Sequence, residues 1–217
     1  MIFELRQYTL LPGRRDTLIE LFEREFVETQ EAVGMRVTGT FRVQDAPDRF
    51  AWLRAFPSMP ARKDALEAFY DGPVWRANRD AANATMVDSD DVLLLHSVGA
   101  EPPAWERPPA GATELPPSLY AATIYHVEDG FSAFFAREVA PMLAEAGVPP
   151  VACLETEHSE NNFPRLPIRT GENVFVWFAR FDPAAEEREV DLPRLKDRLT
   201  AAPERILLRP TARSAMR

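Results

Sequence analysis

The sequence predicts an α+β fold of two tandem ferredoxin-like β-α-β-β-α-β domains, their sheets packed as in a dimeric α/β barrel. Three observations predict it: the chain repeats itself once, each copy runs through the same order of patterns, and the strands are apolar on both faces. The repeat has two anchors. Tyr8 and Gly13 enclose four residues, as do Tyr125 and Gly130. Segments 50–56 (FAWLRAF) and 175–181 (FVWFARF) place Phe, Trp and Phe at the same spacing. A repeat this long points to a duplicated domain rather than a solenoid, whose periods are about 20–50 residues.

In the first copy, residues 2–10 alternate as a strand. Residues 16–32 read as a helix, with Leu18, Leu21, Phe22 and Phe26 on one face and Gly34 as the stop. Residues 35–43 and 50–56 are strands joined through a turn with Asp45, Pro47 and Asp48. Ser58 caps a second helix over 61–70, which Gly72 and Pro73 end. A short helix over 74–83 and a strand over 92–98 complete the copy. The second copy reads as a strand ending near His126, a helix over 131–146, strands over 151–156 and 173–181, a helix over 184–200 and a strand over 205–208. Between the copies lie Pro102, Pro103, Pro108, Pro109, Pro116 and Pro117, a composition that sustains neither helix nor central strand. The expected organisation is a domain over 1–99, a stiff linker over 100–117 and a domain over 118–217.

Composition narrows the function. The chain has 217 residues, 46% of them hydrophobic and 27% charged, as in a globular protein. Its formal charge of -9 repels phosphate backbones, so no nucleic-acid partner is expected. Cys153 is the single cysteine, which excludes an internal disulfide and a thiolate zinc cluster. No run approaches the ~18 apolar residues of a membrane span. Glu4 and Arg6 occupy the place where an apolar signal core would begin, so a cytoplasmic protein without membrane contact is expected.

Strands apolar on both faces must be covered on both. Two sheets facing each other, within one chain or between chains, satisfy this and enclose a pocket; a homo-oligomer is expected. On the first strand Glu4, Arg6 and Tyr8 share one face, Phe3 and Leu5 the other. If the helices cover Phe3 and Leu5, then Glu4 and Arg6 point between the sheets. There they are either a structural ion pair or a fixed dipole that orients a polar ligand. The second copy has Ala121 and Thr123 in their places and keeps the tyrosine as Tyr125.

His96, His126 and His158 lie far apart without ligand spacing, and no glycine-rich loop cradles a phosphate, so neither metal nor cofactor is expected. The candidate acid–base and oxyanion-holding groups are Glu4, Arg6, Tyr8, His96 and His126. Trp52, Arg54, Tyr125 and Trp177 are the candidate substrate-binding residues. Residues 155–172 are too long for a hairpin and rich in Pro and apolar residues. They read as an ordered cover, over a partner subunit in preference to a pocket mouth.

Segments 3–13 (FELRQYTLLPG), 52–62 (WLRAFPSMPAR) and 69–75 (FYDGPVW) resemble NIPSNAP domains. Segments 161–167 (NNFPRLP) and 171–177 (GENVFVW) resemble the second domain of two-domain bacterial members. The resemblance spans nearly the whole chain outside the linker. It implies a ferredoxin-like dimeric α/β barrel. Related barrel families include cofactor-independent monooxygenases, isomerases, cyclases and haem-binding enzymes, whereas other NIPSNAP members are mainly binding or trafficking proteins. Two functions are therefore expected in order: a cofactor-independent enzyme using acid–base chemistry on a small polar-ended organic molecule (isomerisation, dehydration, cyclisation or oxygenation), or a non-catalytic small-molecule-binding or adaptor protein.

Overall fold

In the computed structural model, which describes residues 1–103, 105–181, 190, 192 and 194–217, eight antiparallel strands close one barrel. The first half supplies β1 (Ile2–Leu10), β2 (Arg36–Val43), β3 (Arg49–Phe56) and β4 (Met86–Ser97); the second supplies β5 (Leu119–His126), β6 (Ala152–Thr156), β7 (Val174–Phe181) and β8 (Glu204–Pro210). Around the barrel the order is β1-β3-β2-β8-β5-β7-β6-β4. Each half thus keeps the ferredoxin-like order, with its first and third strands central. The halves join at two seams, where Val43 pairs with Leu208 and His96 with Glu155. Both sheets are therefore closed by one chain, which decides between the two pairings left open by the sequence.

The helices lie outside. In the first half α1 (Arg15–Leu21) continues through a π-helical turn (Phe22–Phe26) into α2 (Val27–Ala32), followed by α3 (Met59–Tyr70) and α4 (Pro73–Asn83). In the second half α5 (Phe131–Phe134), a π-helical turn (Phe135–Val139) and α6 (Ala140–Glu145) repeat the plan. The single helices read from the sequence are thus interrupted at matching places. Gly13 and Gly130 both adopt positive φ, at +74° and +81°, where each chain turns from its first strand into its helix. The helix expected over 184–200 falls in part on residues 184–189, 191 and 193, outside the described residues; a 3₁₀ turn over Lys196–Arg198 is the helical part described.

Three cores follow from strand parity. Phe3, Leu5, Leu53, Leu95, Ile124, Leu154, Val176 and Phe178 meet inside the barrel. Their side chains fill it, as an eight-stranded barrel interior is wide enough for packed side chains and little else. Gly39 serves this core, since a Cβ there would come within 2.4 Å of the Phe41 ring. A second core joins Tyr8, Phe50, Trp52 and Phe56 to the helices of the first half, and a third joins Tyr125, Phe175 and Trp177 to those of the second.

This reverses one expectation. Phe3 and Leu5 face the barrel interior, while Glu4, Arg6 and Tyr8 face the helices. Parity alone separates the two faces but not which face the helices take. The Pro-rich segment lies along the first half, with Trp105 N donating to Ala215 O (3.0 Å) and Arg107 bound to Arg213, Val37 and Glu31. The C-terminal tail crosses back to β2 as well, where Met216 N donates to Thr38 O at 2.9 Å.

Candidate functional site

The first half carries a buried charge cluster between its sheet and its helices. Register explains the core of it: in the β1–β3 ladder Glu4 lies opposite Arg54, Arg6 opposite Trp52 and Tyr8 opposite Phe50. Arg54 Nε donates to Glu4 Oε2 at 2.8 Å, and Arg6 Nη1 donates to the same oxygen at 2.8 Å. Arg62 Nε donates to Oε1 at 2.6 Å. Arg62 arrives from the first turn of α3, whose start is fixed by Ser58 Oγ accepting from Ala61 N (3.3 Å) and by Pro60. Glu4, Arg54 and Arg62 are all 0% exposed and Arg6 1%.

Three guanidiniums thus surround one carboxylate out of contact with water. Burial pushes the Glu4 carboxyl up, but the charges of Arg54, Arg6 and Arg62 outweigh it and hold it well below the usual carboxylate range. Glu4 stays ionised and cannot carry a proton at neutral pH. Burial lowers Arg62, and the neighbouring Arg54 and Arg6 lower it further, despite Glu4. The cluster holds more positive charge than Glu4 balances. Polar neighbours share the load: Gln30 Oε1 accepts from Arg54 at 3.2 Å, and Asn162 Oδ1 from Arg62 at 2.7 Å. Among the described residues Arg62 Nη2 and Trp52 Nε1 are buried with no hydrogen-bond partner.

Arg6 connects this cluster to a chamber. Its Nε donates to Tyr8 Oη at 3.2 Å, so the phenolic hydrogen is directed elsewhere. Tyr8 forms one wall of a cavity of about 30 Å³, with Gln30 and Trp52 beside it and Phe69, Tyr70 and Trp75 closing it outward. Part of Tyr70 reaches the surface, yet its phenol is enclosed, and burial pushes it above the ordinary tyrosine value. Tyr70 packs edge-on against Trp75 at 4.9 Å and stacks on Phe163 at 5.8 Å.

Phe163 belongs to the long segment between β6 and β7. That segment lies over α3 and α4 of the first half, with Asn162 Nδ2 donating to Met59 O at 2.6 Å. It packs on Tyr70, an outer wall of this chamber, and so lies against the first half of its own chain; the sequence reading preferred a partner subunit because prolines and apolar residues suit a fixed interface arm.

Of the residues singled out from sequence, Glu4, Arg6, Tyr8, Trp52 and Arg54 converge here. His96 and His126 do not. His96 stands on the outer face of β4, its Nε2 3.1 Å from Glu155 Oε1 and its Nδ1 3.6 Å from Glu157. His126 lies at one end of the barrel, 3.2 Å from Glu204 and 3.9 Å from Glu172. Tyr125 and Trp177 occupy the matching place under the second half's helices, amid Ala121, Phe131, Phe135 and Ala179. Among the described residues no group of three His, Cys, Asp or Glu side chains is placed to hold a metal ion, and no helix is long and apolar enough to cross a membrane. Sequence reasoning missed Arg62, Gln30, Tyr70 and Asn162. Only Arg62 carried a signal, as a basic residue in the first turn of a capped helix.

Residues 3–98 match the NIPSNAP family model. No curated protein matches the chain. Among solved structures, a putative monooxygenase from Lactobacillus acidophilus NCFM superposes with a TM-score of 0.59 at 14% identity, over 98% of this chain and 96% of that one. A putative monooxygenase from Fusobacterium nucleatum gives 0.59 at 11% identity, over 97% and 92%. A NIPSNAP domain protein from Burkholderia xenovorans covers 46% of this chain and 96% of its own, at 17% identity and a TM-score of 0.41. At these identities the two long matches show the fold alone: two ferredoxin-like halves forming one barrel.

Proposed function

We propose that this chain, whose residues 3–98 form a NIPSNAP domain, is an enzyme that binds a small organic molecule as its oxyanion in the chamber beneath the first half's helices. One observation carries the reading: the excess positive charge around Glu4 adjoins a chamber whose polar wall is Tyr8, backed by Arg6. A phenol that accepts from a guanidinium is a polarised donor, suited to an enolate or phenolate oxygen. The aromatic walls Trp52, Tyr70 and Trp75 suit a flat, apolar body once Tyr70 and Trp75 swing outward to enlarge the chamber.

The roles differ from those read on the sequence. Glu4 positions the three arginines and moves no proton. Arg6 acts through Tyr8, and Tyr8 touches the ligand. A substrate that loses its acidic proton to water leaves an anion whose energy this site lowers. Return of a proton from water to a different carbon gives isomerisation. Attack of the electron-rich anion on dioxygen gives oxygenation, one oxygen atom entering the new carbonyl and the other leaving as water. The fold is shared with putative monooxygenases, which makes oxygenation the first of the two to assay.

The test is solvent deuterium incorporation and oxygen uptake with a set of enolisable aromatic carbonyl compounds, phenylpyruvate among them. Saturable turnover that falls at least tenfold in Tyr8→Phe is the expected result. Turnover indifferent to Tyr8→Phe would remove the chamber from the mechanism. The second reading, a non-catalytic binding protein, is favoured by the chamber's closure to about 30 Å³. Binding without exchange or oxygen uptake across the set would establish it.

A further inference from the structure

We infer that the ligand of this chamber carries a second anionic group, a carboxylate or phosphate tail, held outside the chamber by Arg76, Arg79 and Arg165. This rests on the chamber reading above and adds the chemical class of the ligand.

A groove of about 330 Å³ lies on the outer side of Tyr70 and Trp75, the two residues it shares with the inner chamber. Its floor is aromatic, with Tyr70, Trp75 and Phe163, and its rim carries Arg76, Arg79 and Arg165 against one acid, Asp71. On α4, Arg76 and Arg79 stand three residues apart, on the same side as Trp75. Like charges at that spacing repel, so their juxtaposition is destabilising unless an anion sits between them. The local acids compensate in part: Arg165 pairs with Asp71 at 2.8 Å and Arg79 with Asp80 at 3.2 Å, while Arg76 has no ion-pair partner among the described residues. A positive groove on a chain of formal charge -9 would draw an organic anion towards this mouth.

Arg165 also lies over the Phe163 ring at 4.8 Å. Phe163 stacks on Tyr70, so the guanidinium that would meet the tail and a ring that walls the chamber are in one stack. The closed chamber has room for about one or two waters, so a ligand with an aromatic head there and an anionic tail in the groove would enter by displacing Tyr70 and Trp75, the side chains that part the two spaces. Planar guanidinium forks match both carboxylate and phosphate oxygens, so the head-to-tail design is fixed while the tail has two chemical sources.

Calorimetric titration of the full chain with three phenols decides it: 4-ethylphenol without a tail, 3-(4-hydroxyphenyl)propanoate and 2-(4-hydroxyphenyl)ethyl phosphate. The expected result is that a tailed probe binds about tenfold or more tightly than 4-ethylphenol. The tighter of the two names the tail. In Arg76→Gln/Arg79→Gln, both exposed positions, the preference for the tail should collapse towards unity. Tyr8→Phe should weaken all three probes. If 4-ethylphenol binds as tightly as the tailed probes, the tail site is wrong while the chamber reading stands. A tail preference that survives the double arginine variant places the anion elsewhere and overturns the inference. Tailed binding indifferent to Tyr8→Phe means that the groove takes anions alone, which overturns the two-part ligand. No binding by any probe at millimolar concentration defeats both readings.

Discussion

The two halves share one architecture and differ in what lies beneath their helices. Where the first half has Glu4, Arg6 and Arg54, the second has Ala121, Thr123 and Ala179; where α2 offers Gln30, α6 offers Leu143. The aromatic frame is kept, with Tyr8, Phe50 and Trp52 answered by Tyr125, Phe175 and Trp177. Among the described residues the second half packs this space with Phe131, Phe135, Val139 and Leu143, all apolar. The fold therefore does not require the charge cluster. A buried ion network is weak evidence for stability, because desolvation offsets most of its Coulombic gain. Its presence in one copy and absence from the other fits a ligand site better than a structural staple. The π-helical turns teach the opposite lesson. Such turns often mark functional sites, but they occur in both halves, so here they belong to the repeat and not to the site.

The largest expected effect breaks the comparison from the first half's side. Glu4→Ala leaves three buried guanidiniums without a counter-charge and should cost about 3–5 kcal/mol in urea unfolding. Replacing the whole cluster by apolar residues of similar length (Glu4→Leu, Arg6→Met, Arg54→Met, Arg62→Met) should recover most of that loss, making the first half resemble the second. A quadruple variant as unstable as Glu4→Ala would show that the cost does not come from unpaired charge.

Acidification sharpens the same contrast. The Glu4 carboxyl is held below its ordinary value of 4.5. Its contribution to stability is complete above that pH and is lost as pH falls towards the folded value. Stability measured from pH 6 downward should therefore drop below about pH 4.5 more steeply in the wild type than in the quadruple variant. Parallel pH profiles for the two would contradict this account of Glu4.

Smaller effects follow. Tyr8→Phe removes the acceptor of Arg6 Nε and should cost about 1 kcal/mol, read as a shift in the thermal midpoint. In the second half, burial pushes the Cys153 thiol up to about 11, so iodoacetamide at pH 8 should label the folded chain far more slowly than the unfolded one. Smallest is Arg165→Ala. Its ion pair with Asp71 joins side chains 54% and 53% exposed, and its loss should change stability by under about 0.5 kcal/mol, although it should weaken a tailed ligand.

Much of the site's membership was legible before any coordinates. Glu4, Arg6 and Tyr8 fall on one face by the period of a strand, and the paired FAWLRAF and FVWFARF segments align Trp52 and Arg54 with Trp177 and Ala179. The histidines misled because an imidazole on an apolar strand reads alike whether it faces a chamber or a pair of surface carboxylates. His96 meets Glu155 and His126 meets Glu204 across seams and strands far apart in sequence. Arg62 and Asn162 were beyond reach for a related reason: they meet 100 positions apart, and no local pattern encodes such a contact.

The sequence by itself determined the duplication, the strand and helix order of each half and the residues that share each strand face, because these follow from short-range periodicity and turn chemistry. Tertiary structure alone decided three things: that one chain closes its own barrel, that Glu4 and Arg6 face the helices while Phe3 and Leu5 fill the interior, and that the segment ahead of β7 packs on Tyr70 of the first half. Each depends on which of two chemically acceptable surfaces a face is packed against. That choice is settled by the fit of all the elements together and not by the composition of any one of them.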